Sequence, residues 1–296
     1  MKLFSGVGTA VITPFLENGS IDFNSFGALL DQQRNAKIDA CILLGTTGEC
    51  PVISKDERRQ LIEFAKEYLH NDMPIILGTG SNNPAHVVEL NKQGEELGVD
   101  GLLIVNPYYN KSTQMGLVEY FSYLAGETKL PIILYNVPSR TGMNVLPDTV
   151  LKIHKKAPSV VAVKEASADI SQINLLISQK PDSLTVYSGN DDQTLPILSI
   201  GGEGVISVAS NVIPKEMKSL TNAFFEGDLK KAQSINNQLF SIMKTLFIET
   251  NPSPVKFAAS ALGLCKNVLR RPMIPVQEST ENLVVNELKG LGYQCK

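Results

Sequence analysis

The sequence predicts an α/β fold: a (β/α)8 TIM barrel carrying a C-terminal helical extension. Three observations carry that expectation. Eight short apolar runs recur about 20 to 35 residues apart, the length of one βα unit. Most of the runs are continuously apolar, the pattern of parallel strands covered on both faces by helices. Amphipathic segments fill the gaps, and no GxGxxG follows the first run, which weighs against an open, doubly wound sheet.

The runs fall at 7–12, 40–44, 75–77, 102–105, 132–134, 160–163, 184–187 and 205–208. The N-terminal tract that contains the first run is apolar, but glycines interrupt it and Pro14 stops it. It reads as a strand, not as a secretory leader with a long apolar core. Between the second and third runs, Ser54-Lys55-Asp56-Glu57 fits a capping box, with each end residue satisfying the other's amide. Leu61, Ile62, Phe64, Ala65, Tyr68 and Leu69 then share one helical face. Pro84 and Pro147 suit first helical turns, and Gly98 and Gly227 suit helix ends. From about Phe224 the strand rhythm stops. Segments 229–247, 254–262 and 279–291 read as helices, with Ser253-Pro254 as N-cap and first-turn pair of the middle one. The expected division is a catalytic barrel over residues 1–224 and a helical domain over 225–296.

Composition narrows the function classes. A chain of 296 residues, 43% hydrophobic and 19% charged, supplies a large core. The net charge of −3 is spread among both signs, and basic tracts such as Lys155-Lys156 and Arg270-Arg271 are no longer than pairs. That leaves no electrostatic footprint for nucleic acid and no basic amphipathic face for a membrane surface. No apolar run approaches the roughly 18 residues of a membrane span. Four cysteines without CxxC spacing and three scattered histidines give neither a metal site nor a disulfide framework, so the expectation is a cytoplasmic protein with free thiols and no metal.

In such a barrel the chemistry sits where strands deliver side chains to the C-terminal mouth. Lys164 follows Val-Val-Ala-Val and emerges from apolar surroundings. Burial disfavours its ammonium form. A lysine near pKa 10.4 is about 0.04% neutral at pH 7; at a pKa near 7 it would be half neutral, roughly a thousandfold gain in nucleophile. A neutral amine attacks a ketone to form an imine. The alternatives are a lysine that snorkels from the strand end or pairs with Glu165. Tyr135 follows Ile-Ile-Leu and offers a phenol for proton transfers, or a satisfied core hydroxyl. Thr46 and Thr47 lie between glycines that let backbone approach a small carboxylate, though the same turn also forms without a ligand. Arg140 is either a clamp for a second carboxylate or a solvated loop residue.

These segments resemble the dihydrodipicolinate synthase / N-acetylneuraminate lyase family of class I aldolase-type barrels, over about residues 6–275. The carriers are Gly45-Thr46-Thr47-Gly48-Glu49, Asn106-Pro107-Tyr108-Tyr109-Asn110, Tyr135 to Gly142, Val163-Lys164-Glu165-Ala166, Ser188-Gly189-Asn190-Asp191 and Asn251-Pro252-Ser253-Pro254-Val255-Lys256. The resemblance implies condensation of pyruvate with L-aspartate β-semialdehyde to 4-hydroxy-tetrahydrodipicolinate, a step towards diaminopimelate and lysine. It implies that Lys164 forms the pyruvate imine and that Tyr135 donates and accepts protons, in a relay with Thr46 and Tyr109. Thr47 and the Ile206 carbonyl would contact pyruvate, Gly189 would be a further substrate-binding position, and Arg140 would hold the semialdehyde's carboxylate. No cofactor is implied beyond the covalent imine. The tyrosine at position 109 would enter a neighbouring subunit's site, in a homotetramer built as a dimer of dimers. Two rivals stand beside this reading: a pyruvate-dependent lyase acting on N-acetylneuraminate or a keto-deoxy sugar acid, and a non-catalytic acid-binding barrel. Ser139-Arg140-Thr141-Gly142 favours the synthase, since a guanidinium suits a carboxylate better than a polyol.

One departure bears on regulation. Family members inhibited by lysine often carry histidines at positions 55 and 58 and glutamate at 86. Here the residues are Lys55, Arg58 and His86. Two fixed cations repel the ammonium groups of lysine, and His86 supplies no compensating negative charge. Steady-state assays are therefore expected to show weak or no inhibition by lysine; strong inhibition at sub-millimolar lysine would contradict this.

Overall fold

A computed structural model describes residues 2–70 and 72–296. Eight parallel strands close into a barrel in chain order: β1 (Gly6–Ala10), β2 (Ala40–Leu43), β3 (Ile75–Gly78), β4 (Gly101–Val105), β5 (Ile132–Asn136), β6 (Val160–Glu165), β7 (Thr185–Ser188) and β8 (Gly204–Ser207). Each coincides with one apolar run of the sequence. Helices α1 (Phe23–Asn35), α2 (Lys55–Leu69), α3 (Pro84–Glu96) and α4 (Gln114–Gly126) follow the first four strands. The β5–β6 connection holds two helices, the single turn α5 (Pro138–Thr141) and α6 (Pro147–Lys156). The periodicity gave no sign of that extra turn. Then come α7 (Ile170–Gln179), α8 (Thr194–Ser199) and α9 (Pro214–Phe225), and beyond the barrel α10 (Leu229–Thr245), α11 (Ser253–Ala261) and α12 (Glu278–Gly290).

Local signals act as the residues dictate. The Ser54–Glu57 capping box starts α2, and Pro84 and Pro147 open α3 and α6. Gly98 and Gly227 take positive φ just past α3 and α9. The reading of Ser253 as an N-cap is corrected: Pro252 is the cap residue, and Ser253 is already the first helical residue with no side-chain cap bond. All four cysteines are free. Among the described residues no helix is long and apolar enough to cross a membrane.

The barrel interior is a solid layer that includes Ile42, Ile76, Leu103, Ile133, Val161 and Ile206. Its N-terminal end is stoppered by Tyr187, whose ring stacks on Phe4 at 4.3 Å and whose hydroxyl donates to the Phe4 carbonyl at 2.7 Å. Among the described residues the interior is therefore filled from below, and the C-terminal mouth is open for a ligand.

The helices α10–α12 share a core with the strands, since Val7 and Val205 pack in one cluster with Leu239, Ile242, Val255 and Val284. A charged clamp adds to this. Lys256 of α11 pairs with Glu49 in the β2–α2 loop, with side chains 0% and 2% exposed. Glu49 also accepts the Arg270 amide at 3.0 Å, and the Arg270 guanidinium engages the Glu57 carboxylate and the Val52 carbonyl. Lys256 Nζ and Arg270 Cζ lie 4.2 and 4.4 Å from the Phe15 ring centroid, within cation–π range.

A pair buried this completely adds little net stability, because desolvation offsets its attraction, but losing one partner strands the other. Lys256→Met is expected to destabilise by about 3–5 kcal/mol in denaturant unfolding. Adding Glu49→Gln should recover much of that loss; a double variant no more stable than the single would count against the clamp.

Candidate active site

Strand register decides which side chains reach the mouth. Between β5 and β6 the pairing shifts: Ile132 faces Val160, but Ile133 faces Ala162. Val161 is the extra residue of a bulge. Val160 and Val163 pack outward under the helices, while Val161 and Ala162 both lie with the interior cluster. Side chains alternate along a strand, so one extra residue exchanges the faces beyond it. Lys164 therefore points inward and pairs with Tyr135, while Glu165 points outward beside Asn136. Glu165 accepts from Asn136 Nδ2 at 3.0 Å and from the Ser167 amide at 2.8 Å. Neither alternative for Lys164 is realised: it does not pair with Glu165, and at 5% exposure it does not snorkel.

Lys164 enters a cavity of about 650 Å3 lined also by Tyr135, Thr46, Thr47, Arg140 and Gly189. Its Nζ lies 4.3 Å from the Tyr135 ring centroid. Burial lowers its pKa to about 8; the buried Asp191 carboxyl opposes the shift and the Arg140 cation adds to it. Near pH 7 about a tenth of the amine is then neutral, about 300 times the fraction of a lysine at its ordinary 10.5. That is less than the thousandfold available at a pKa near 7, and Asp191 is the opposing charge. A Cβ at position 189 would meet Lys164 Cε at 3.2 Å and Ala166 Cβ at 2.7 Å, so Gly189 makes room for the lysine stem. Burial pushes Tyr135 up to about 12, which keeps its phenol protonated at neutral pH.

Thr46-Thr47-Gly48 form one turn of 3-10 helix, whose leading amides have no intrahelical partner. Thr13 Oγ1 donates to the Gly48 carbonyl at 2.8 Å and fixes the turn to the barrel rim. Arg140, on α5, is exposed at the mouth, and its Nη2 donates to the Asn251 carbonyl at 3.1 Å. Two predicted residues do not bring a side chain into this cavity. The Ile206 side chain is buried in the barrel interior, which leaves only its backbone carbonyl for the expected contact, and Tyr109, 91% exposed with φ of 69°, stands outside the cavity of its own chain. Sequence reasoning missed the cavity's far wall, which residues 247–251 supply from beyond α10. A search confined to strand ends passes over it; the only signal was the Asn251-Pro252-Ser253-Pro254 tract. Lys55, Arg58 and His86 line a second cavity of about 550 Å3 that shares Thr46 and Arg140 with the first. There Arg58 donates to the Gly78 carbonyl at 2.9 Å.

A buried amine of lowered pKa, beside a protonated phenol and under a guanidinium, defines a barrel equipped for imine chemistry on small acids. Residues 3–291 match the sequence profile of the Dihydrodipicolinate synthetase family, and the chain belongs to that family. It is 50% identical to the 4-hydroxy-tetrahydrodipicolinate synthase of Thermosipho africanus over 292 residues, 98% of this chain and 99% of that relative. Against the enzyme of that name from Thermotoga maritima it is 45% identical over 293 residues, 98% of this chain and 99% of the relative. The crystal structure of dihydrodipicolinate synthase from Thermotoga maritima superposes with a TM-score of 0.96 at 45% identity, covering 98% of this chain and 99% of that one. The structure of dihydrodipicolinate synthase from Aquifex aeolicus also gives 0.96, at 40% identity, covering 99% and 100%.

The pKa of Lys164 sets a pH dependence. Below it the amine is protonated and inert, so the rate of borohydride-trapped adduct formation with pyruvate should rise about tenfold per pH unit and level off above about 8. Arg140→Ala removes a cation that disfavours the ammonium form, so its inflection should move to higher pH. An unmoved or lowered inflection would refute that electrostatic role.

Proposed function

We propose that this protein condenses pyruvate with L-aspartate β-semialdehyde to 4-hydroxy-tetrahydrodipicolinate through an imine on Lys164. The carrying observation is Lys164 itself: an amine buried by a bulge, partly neutral near pH 7, and stacked against Tyr135. The neutral amine adds to the pyruvate ketone, and loss of water gives a protonated imine. That cation draws electrons from the neighbouring methyl group, which loses a proton to give an enamine. The enamine carbon forms a bond to the aldehyde carbon, which regenerates the protonated imine, and the resulting alkoxide takes a proton. Attack on the imine carbon by water or by the second substrate's own amine then breaks the bond to Lys164 and frees its amine. Tyr135, protonated at rest, handles the water and these transfers. Thr47 and the Ile206 carbonyl orient pyruvate, Gly189 leaves space beside Lys164, and Arg140 holds the carboxylate of the second substrate.

In this reading the exposed Tyr109 completes a relay with Thr46 and Tyr135 of a neighbouring subunit, within a homotetramer arranged as a dimer of dimers. One solved relative, 45% identical, is described as a monomeric dihydrodipicolinate synthase variant. The barrel of residues 1–224 carries the chemistry, the helical region 225–296 supports it, and the setting is the cytoplasm. The sugar-acid lyase reading is weaker, because Arg140 at the mouth matches a second carboxylate and the relatives above bear the synthase name.

Borohydride trapping with pyruvate tests the imine: wild type should gain one covalent adduct and Lys164→Ala none. An adduct in Lys164→Ala, or none in wild type, would sink the proposal. Tyr135→Phe should lower kcat about 10²- to 10⁴-fold, the usual contribution of a placed proton-transfer group. Turnover of aspartate β-semialdehyde should far exceed that of N-acetylneuraminate.

A further inference from the structure

We infer that Asn251, brought to the mouth by the C-terminal helical region, is a positioning residue for pyruvate: it fixes which way the Thr47 hydroxyl points its hydrogen. The inference rests on the proposed contact between Thr47 and pyruvate. Asn251 is 5% exposed and lines the cavity. Its Nδ2 donates to Thr47 Oγ1 at 3.0 Å, between residues 204 apart in sequence. A hydroxyl carries one hydrogen and two lone pairs. With the amide occupying a lone pair, the hydrogen of Thr47 is left to donate into the cavity, which suits the carboxylate of a keto acid. An acceptor at position 251 would take that hydrogen and turn it away from the ligand.

The contact is held from both ends. Glu49 follows Thr47 by two residues, Lys256 follows Asn251 by five, and these two form the buried ion pair of the clamp. The Asn251 carbonyl, meanwhile, accepts Nη2 of Arg140. That bond belongs to the backbone and survives replacement of the side chain. The side chain of Asn251 therefore acts on the pyruvate half of the site, separately from the half under Arg140.

Asn251→Asp keeps the shape but presents a carboxylate that only accepts; Asn251→Ala removes the partner and leaves the Thr47 hydrogen free. Pyruvate KM is expected to rise about 10- to 100-fold in Asn251→Asp, the size of a lost hydrogen bond to a charged group, and less in Asn251→Ala. In Asn251→Ala the KM for aspartate β-semialdehyde should stay within about twofold of wild type, because the Arg140 bond persists. A negative charge at 251 could also repel pyruvate directly, so the pair is measured as a cycle with Thr47→Val. If Asn251 acts through the hydroxyl, Asn251→Asp adds little on the Thr47→Val background. Equal pyruvate KM in Asn251→Asp and wild type, or a full additional loss on that background, would overturn the inference. Thermal unfolding confirms that each variant is folded; should Asn251→Asp not fold, the same cycle is run with Asn251→Ala and decided in the same way. Failure of wild type to trap pyruvate on Lys164 would instead defeat the imine proposal, which the cycle does not probe.

Discussion

One extra residue in β6 governs the rest of the site. Without the bulge at Val161, the alternation that puts Val160 outward would carry Lys164 outward as well. It would then lie under the helix layer among aliphatic side chains, where an unpaired cation is costly. The bulge turns it into the barrel mouth instead, directly across the strand pair from Tyr135. Burial at that position depresses the lysine and raises the tyrosine, so the pair rests as a partly neutral amine and a fully protonated phenol. Gly189 on the next strand connection leaves the stem its path.

The charges around this pair have a division of labour. Arg140 adds positive potential from the rim, and the buried Asp191 restrains the drop in the Lys164 pKa. Asp191 is itself tied to the chain after β8, accepting from the amides of Val208 and Ala209 at 3.0 and 2.9 Å. Arg140 thus presents its cation to small acids at the rim, while one oxygen of the Asp191 carboxyl is engaged with backbone.

The C-terminal helices contribute a wall as well as a core. Glu49, Lys256, Arg270 and Phe15 lock α11 against the loop that carries Thr46 and Thr47. Buried ion pairs of this kind contribute less to net stability than to choosing one arrangement, since alternatives leave a charge unpaired. Asn251 lies between that lock and the cavity, so the geometry of the threonine turn depends on chain found only beyond the last barrel strand.

The eight strands, the helices other than the single turn α5, and the strand-end residues Lys164, Tyr135, Thr46 and Thr47 were legible in the sequence. Those features rest on local physics: apolar runs bury, capping residues stop and start helices, and residues after a strand emerge at one end of a parallel barrel. The inward turn of Lys164 was not legible, because Val160, Val161 and Ala162 are all apolar and a bulge leaves no trace in a run without alternation. Nor were the Lys256–Glu49 pair or the Asn251–Thr47 bond, whose partners stand 207 and 204 residues apart. Lys164 read as a reactive amine from its apolar flank. Only the tertiary structure decided how far its pKa falls, because that depends on the charges of Asp191 and Arg140 brought beside it by folding.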